Sequence, residues 1–318
     1  MKYQLDSSPS GNTPIPPHAY YPNKKSLDAA FEVTTANGSN PKILLLSHPN
    51  NPLGVSYPPD VIRECIDWCR ENKVHLVSDE IYAGSIHGEQ TLGEEPIFQS
   101  ALALGSNTES TDGLGLGPYV HFVYALSKDF ALSGLRVGVA YSENKAIRLP
   151  MQKLNDLCQI SSQTQQNVER ILSCKTKELI QSMTDEGDAF FTDSFLTESN
   201  RRIKSRCDRL HECLDKNKIP YLKADSGLFV WMDFREFLPT EADERDGKET
   251  EESKDKRERQ LYLDLLNKYG LLFTPGRSMK NELPGFFRCV FTAASDDEFE
   301  LGLQRINGFV DEKRKHNQ

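Results

Sequence analysis

Two short apolar runs separated by a helix-patterned segment constrain the fold of this chain more than any other feature. Residues 42–47 and 74–77 are apolar runs without regular alternation, which favours strands buried on both faces. Residues 59–72 lie between them and carry apolar side chains at helical spacing. Strand, helix and strand in this order predict a parallel sheet with right-handed crossovers. Two further strands are predicted at residues 120–125 and 137–141.

The second half of the chain predicts long helices and a smaller domain. The patterns favour helices at residues 149–172 and 195–214, and strands of the smaller domain at residues 221–234 and 286–292. A segment dense in Glu, Asp, Lys and Arg lies between those strands, and it predicts an exposed, disordered insertion at 239–259.

These patterns predict an α/β architecture, with a mostly parallel sheet covered by helices on both faces and a smaller α+β C-terminal domain. The predicted domains are a disordered lead at 1–25, an incomplete large domain at 26–195 and the smaller domain at 196–318.

Composition narrows the classes of partner. With 38 basic and 47 acidic residues, the net charge of −9 argues against nucleic acid and against an anionic membrane surface. No apolar run approaches the roughly 20 residues of a membrane-spanning helix. Seven cysteines without a CxxC pair favour reduced thiols, and hence a cytoplasmic protein, over a disulfide framework or a metal site.

Polar residues follow the predicted strands where a ligand site is expected. Asn51, Asp79 and the pair Ser127-Lys128 each come directly after a predicted strand. Ligands of parallel sheets bind at the carboxyl ends of the strands, so we expect these side chains to meet at one site.

Lys128 is the most informative of these residues. A lysine at the end of a buried strand is costly unless it is used, because desolvation disfavours its charge and prepares the amine to attack an aldehyde. Arg136 follows eight residues later and would bind a phosphate at the same site. The alternative is a surface lysine on an ordinary turn.

The other candidates also have ordinary alternatives. Asp79 either caps the next helix or pairs with a protonated ring nitrogen, and Tyr82 three residues later can donate its hydroxyl. Asn51 is either a turn residue or a hydrogen-bond donor. Arg288 lies inside an apolar strand, where it binds either a substrate carboxylate or a structural acidic partner.

Taken in order, these motifs resemble the class I/II aminotransferases, which are fold-type-I enzymes dependent on pyridoxal 5'-phosphate (PLP). The resemblance is closer to the 1-aminocyclopropane-1-carboxylate (ACC) synthase branch. It rests on Asn51-Pro52-Leu53-Gly54, Asp79-Glu80-Ile81-Tyr82, Ser127-Lys128-Asp129, Gly134-Leu135-Arg136-Val137-Gly138, Ser161-Ser162-Gln163-Thr164-Gln165, Gly227-Leu228-Phe229-Val230-Trp231-Met232-Asp233 and Arg288.

The resemblance implies PLP as the cofactor and a role for each matching residue. Lys128 would form the Schiff base and move the Cα proton, and Asp79 would pair with the pyridine nitrogen. Tyr82 and Asn51 would bond the phenolate oxygen. Ser127 would contact the cofactor, Arg136 would bind its phosphate, and Arg288 would bind the substrate carboxylate.

The sequence departs from the family pattern in three ways. Ala125 stands where the family usually has a phosphate-binding serine, and only 50 residues precede Asn51, so we expect an N-terminally truncated version of the fold. Tyr20 and Tyr21 are too close to Asn51 to be the aromatic residue that stacks on the ring. Two polar insertions, at 105–117 and 239–259, are additional to the family pattern.

The resemblance therefore implies a PLP-dependent enzyme that acts on a small-molecule amino acid, either as an aminotransferase or as an ACC-synthase-like lyase. A homodimer is expected if the chain is complete. The alternative is a non-catalytic protein that keeps the fold as a binding or regulatory module, favoured by Ala125 and the missing N-terminal region.

Overall fold

A computed structural model describes residues 15–89, 95–106, 113–175, 189–239 and 250–316. The chain divides into two compact units. Residues 21–50 and 56–202 form the first, here called the four-stranded unit. Residues 1–20, 51–55 and 203–318 form the second, the three-stranded unit.

The four-stranded unit contains the predicted, mostly parallel sheet. Its strands lie in the order β1-β2-β3-β4, with β1, β2 and β3 parallel and β4 antiparallel to β3. The α/β architecture predicted from the sequence is therefore confirmed. The bounds are Ile43–Ser47 for β1, His75–Asp79 for β2, Val120–Ala125 for β3 and Gly138–Ser142 for β4.

Helices accompany this sheet, and α2 (Pro59–Asn72) begins and ends where the sequence predicts. Its buried side chains recur every three or four residues, and Ile62, Cys65, Ile66 and Cys69 pack with strand residues in one core cluster. The other helices here are α1 (Lys24–Ala36), α3 (Ala101–Gly105), α4 (Lys145–Leu157), α5 (Ser162–Ser173) and the first part of α6 (Phe191–Lys216).

The single helix predicted at residues 149–172 is wrong, because α4 and α5 are separate. The hydroxyl of Ser161 accepts a hydrogen bond from the Thr164 N–H at 3.1 Å and caps α5. A capped helix start in the middle of the apolar pattern divides it into two elements.

The three-stranded unit is built around an aromatic core. Phe234 is fully buried, with its ring centroid 5.7 to 5.9 Å from those of four other phenylalanines. The antiparallel sheet has the order β5-β7-β6. Its elements are β5 (Phe229–Asp233), α7 (Glu251–Tyr269), β6 (Thr274–Pro275), β7 (Phe286–Val290) and α8 (Asp296–His316), which follow the second part of α6.

Two expectations for this unit differ from the structure. The strand predicted at 221–234 is largely a turn, because the Asp225 and Ser226 N–H groups donate to the Gly54 carbonyl and Gly227 has a φ of +72°. Of the predicted strand, β5 and single bridge residues at Tyr221 and Ser226 remain. Residues 240–249 of the predicted insertion lie outside the described residues, but 251–259 are helical rather than disordered.

The end of the predicted disordered lead is also ordered. Ile15 and Tyr20 are buried, and the Ile15 N–H donates to the Tyr221 carbonyl at 2.9 Å. Asn23 then caps α1 by accepting from the Ser26 N–H. Residues 1–14 lie outside the described part of the chain.

Apolar side chains are exposed along both outer strands of the four-stranded sheet. Ile43 and Leu45 on β1 are 62% and 67% exposed, and Val139 on β4 is 57% exposed. Within the described ranges, each of these strands has a neighbour on one side only.

The described residues contain no helix that is long and apolar enough to cross a membrane. They also contain no cluster of three or more residues suited to metal binding, and all seven cysteines are free.

Glu258 on α7 fixes the loop that precedes β7. Its buried carboxylate accepts hydrogen bonds from the Arg277 N–H at 2.8 Å and the Gly285 N–H at 2.7 Å. Burial outweighs these bonds and raises the pKa of the Glu258 carboxyl from 4.5 to about 7.

We expect Glu258 to make stability depend on pH. Because its folded-state pKa is raised, its contribution is fully present below about 4.5 and is lost as the pH rises through about 7. The Glu258→Gln variant should lose this dependence. Urea unfolding of both proteins between pH 4.5 and 7.5 checks this, with the exposed Glu252→Gln as control. Parallel stability curves for parent and Glu258→Gln would contradict it.

Candidate active site

Parallel pairing of β2 and β3 brings the predicted site residues of the four-stranded unit to one sheet edge. Asp79 is the last residue of β2 and is in register with Val123, two residues before β3 ends. The Glu80 N–H donates to the Val123 carbonyl at 2.9 Å. The turn that carries Tyr82 and the turn that carries Lys128 therefore leave the sheet side by side.

Asp79 is a partly desolvated acid without a cation. Among the described residues, its carboxylate accepts one hydrogen bond, from the Ile81 N–H at 3.3 Å, and forms no salt bridge. Burial raises the pKa of the Asp79 carboxyl, and the Ile81 bond opposes that rise. Residues 81–84 form a turn, so Asp79 does not cap a helix there. A positively charged ligand group would stabilise the ionised carboxylate.

Lys128 is exposed and lies in a turn, so the desolvation expected at the end of a buried strand is not observed at this residue. The reason is local: β3 ends at Ala125, and the following turn carries the chain out of the sheet before Lys128. Within the described residues the Lys128 amine has no hydrogen bond or ion pair, and Ser127 beside it is half-buried. The amine is thus accessible to a ligand at this edge.

Arg136 reaches the same edge because β4 runs antiparallel to β3. Gly138 pairs with Ala125, and Arg136 lies two residues before Gly138. Its guanidinium is exposed and donates to the Ser133 carbonyl at 2.7 Å, and no acidic partner is found among the described residues. The site therefore has a cation, Arg136, available for an anionic ligand.

The segment between Lys128 and β4 contains two strained residues. Ala131 and Arg136 have φ values of +53° and +56°, in the left-handed region. Each costs about 1 kcal/mol in a residue with a Cβ, and such strain often accompanies functional sites.

The sequence analysis missed the residue that joins the two turns. Asp129 is buried and accepts three hydrogen bonds, from the Gly84 N–H at 2.7 Å, the Ser85 hydroxyl at 2.6 Å and the Tyr124 hydroxyl at 3.0 Å. The only available signal was its place after Lys128, because its partners are 5, 44 and 45 residues away.

The remaining two candidates, Arg288 and Asn51, pair within the three-stranded unit. Arg288 Nη1 donates to Asn51 Oδ1 at 2.7 Å, and Nη2 donates to Thr274 Oγ1 at 3.2 Å. Arg288 Nε is buried without a hydrogen-bond partner in the described structure, and no described acid forms a salt bridge with it. The predicted alternative of a structural salt bridge is thus not found among the described residues.

Gly54 fixes the backbone of the Asn51 motif. It has a φ of +72°, and a Cβ at this position would collide with the Phe229 carbonyl oxygen of β5. Only glycine meets both requirements without rearrangement. The motif is therefore attached to the three-stranded unit, which contains both Asn51 and Arg288.

Comparison with known proteins was made on sequence and on structure. The family model for aminotransferase class I and II matches residues 14–306. ACC synthase 11 of Arabidopsis thaliana is 32% identical over 294 residues, covering 92% of this chain and 56% of that protein. ACC synthase 4 of Oryza sativa subsp. japonica is 32% identical and covers 90% and 54%. The chain spans about half the length of these curated relatives.

Two solved structures show the same fold at lower identity. Aspartate aminotransferase of Thermus thermophilus, as a single mutant, has a TM-score of 0.66 at 20% identity, covering 93% of this chain and 62% of its own. The aromatic aminotransferase of Pyrococcus horikoshii has a TM-score of 0.63 at 16% identity, covering 92% and 67%.

We expect Asp79→Asn to stabilise the protein without ligand at neutral pH. The folded-state pKa of Asp79 is raised by burial, so its favourable contribution is present below the ordinary value of 3.8 and is lost as the pH rises through the raised pKa. The neutral amide avoids the cost of burying the charge. Thermal unfolding at pH 7.5 checks this against the exposed Asp156→Asn. An unfolding temperature below that of the parent would contradict the expectation.

Proposed function

Because the chain belongs to the aminotransferase class I and II family, whose members depend on PLP, we propose that it binds PLP covalently at Lys128 and acts on amino acids. The observation that carries the proposal is the unpaired charge at one sheet edge. Asp79, Lys128 and Arg136 each lack an ion-pair partner among the described residues.

These residues fit the chemistry of PLP. The cofactor has an aldehyde, a ring nitrogen that is stabilised when protonated, and a phosphate. Lys128 offers an accessible amine, Asp79 an acid without a cation, and Arg136 with Ser127 a cation and a hydroxyl. Each group of the ligand thus has one side chain of matching chemistry.

Each side chain then has a distinct task. Bound PLP supplies an electron-withdrawing ring that stabilises negative charge at the substrate Cα. Lys128 would hold the cofactor and would then move the Cα proton, and Asp79 would keep the ring nitrogen protonated. Tyr82 donates its hydroxyl to the phenolate oxygen of the cofactor.

Asn51 and Arg288 lie together in the three-stranded unit, and we propose that Arg288 binds the carboxylate of an amino-acid substrate. The hydrogen bond from Arg288 Nη1 to Asn51 Oδ1 fixes the orientation of the Asn51 amide. The buried Arg288 Nε supports a role for this guanidinium in binding the substrate carboxylate, since a carboxylate supplies the missing acceptor.

Two reactions begin with the same proton transfer by Lys128. Transamination would require Lys128 to deliver that proton to the cofactor, whereas an ACC-synthase-like reaction would require the substrate to lose a γ leaving group. The similarity to ACC synthases favours the second. Purified protein should be given a γ-substituted amino acid alone, and an amino acid with a 2-oxo acid, and the products compared.

A second candidate function is a non-catalytic module with the same fold. Ala125 at the place of the family's phosphate-binding serine and the exposed Lys128 favour it. The two candidates differ in whether PLP is captured on Lys128.

We expect PLP to give the parent protein a visible absorption band that borohydride fixes onto Lys128. Lys128→Ala should lose the band, because the variant lacks the amine to which the aldehyde is proposed to bond. The exposed Lys145→Ala, in the same unit, should keep it. Absorption spectra and peptide mass spectrometry check both results, and a parent without a band would favour the non-catalytic module.

We also expect Arg288→Lys to weaken amino-acid binding by about 10-fold to 100-fold, since ammonium cannot bind a carboxylate through two parallel hydrogen bonds. PLP capture on Lys128 should change less than the affinity for the amino acid. Titration of the visible band with amino acid measures the affinity, and Arg305→Lys on α8 is the control. Equal affinity in parent and Arg288→Lys would remove Arg288 from the site.

A further inference from the structure

Asp129 connects the two turns that carry the proposed cofactor-binding residues. Its Oδ2 accepts from the Gly84 N–H and the Tyr124 hydroxyl, and its Oδ1 accepts from the Ser85 hydroxyl. Gly84 and Ser85 belong to the turn that begins after Asp79, whereas Asp129 itself follows Lys128. One carboxylate therefore holds the two turns together through short, directional bonds.

The turn around Gly84 is held from a second side by α6. Asn200 Nδ2 donates to the Gly84 carbonyl at 2.9 Å. A Cβ on Gly84 would lie 2.9 Å from Asp129 Oδ2 and 3.1 Å from a methyl group of Leu196. Both polar groups of the Gly84 backbone are thus occupied, and the turn has little freedom to shift.

Burial of the Asp129 carboxylate in this arrangement costs folding free energy. Asp129 is 4% exposed, and its three partners are neutral donors, with no cation among the described residues. Burial raises the pKa of the Asp129 carboxyl even though all three hydrogen bonds oppose the rise. A neutral side chain of similar size would avoid this desolvation cost.

We propose that Asp129 is a positioning residue that sets the separation of the Lys128 amine from the Tyr82 hydroxyl. The proposal rests on the proposed function, because it concerns the same cofactor. Asp129 touches neither cofactor nor substrate in this role. It acts by holding the Lys128 turn against the Tyr82 turn, since a displacement of about 1 Å can cost on the order of 100-fold in reactivity.

The matched control is Glu143, a second acid that holds a loop in the same unit. Glu143 accepts from the Leu114, Gly115 and Gly117 N–H groups and from the Tyr141 hydroxyl. It follows the last residue of β4, whereas Lys128 and Arg136 adjoin the first. Glu143→Ala thus removes a comparable set of bonds at the opposite end of that strand.

The first measurement uses the cofactor-free protein. Amide hydrogen exchange of Asp129→Ala should increase in residues 81–85 and 126–130 together, whereas Glu143→Ala should increase exchange in residues 114–117. Asp129→Asn keeps one acceptor oxygen and should recover much of the protection. Ser85→Ala and Tyr124→Phe each remove one hydrogen-bond donor to Asp129. They replace Asp129→Ala in this experiment if that variant does not fold.

The second measurement separates positioning from stability. At a temperature where all variants are folded, PLP capture on Lys128 should slow by about 10-fold or more in Asp129→Ala, and the pH midpoint of the visible band should shift. Ser85→Ala and Tyr124→Phe should shift it less and in the same direction. Glu143→Ala should match the parent in both readouts.

The outcomes distinguish this proposal from the proposed function. A parent that does not capture PLP overturns both. A parent that captures PLP, with unchanged capture rate and midpoint in Asp129→Ala or in both single-donor variants, overturns the positioning role alone. A change of equal size in Glu143→Ala also overturns it, because general loss of stability then explains the effect.

Discussion

The parallel pairing of β2 with β3 is the constraint on which the candidate site depends. Because both strands end at the same edge, Asp79 and Lys128 become neighbours although 48 residues separate them in the sequence. The antiparallel return of β4 then brings Arg136 to that edge. A one-residue change of register between β2 and β3 would displace the acid from the amine and turn the side chains of the shifted strand to the opposite face.

The sequence predicted correctly those elements in which the spacing of apolar residues matches the buried face. α2 and β3 have the predicted bounds, because regular apolar spacing coincides with a buried face. Residues 251–259 of α7 were misread as part of a disordered insertion because charges dominate this stretch, although Glu258 is buried within it. The turn at Gly227 was missed because its partner, the Gly54 carbonyl, is remote in sequence.

Prediction of the candidate site from the sequence was limited in the same way. The types of its residues were predictable, since an amine, an acid and a guanidinium at strand ends form a recognisable set. Their surroundings were not, because exposure of Lys128 depends on where β3 ends, and the Asn51–Arg288 hydrogen bond joins residues 237 positions apart. The role of Asp129 was not predicted for the same reason, because a supporting carboxylate is recognised from its hydrogen-bond partners in the folded chain.

The outward Ile43, Leu45 and Val139 side chains have a practical consequence for handling this chain. Open strand edges with apolar side chains are templates on which other molecules add strands, and this leads to aggregation as concentration rises. The negative net charge opposes such association through mutual repulsion, which salt screens. Aggregation should therefore increase with ionic strength. Low protein concentration and low salt favour a monodisperse preparation.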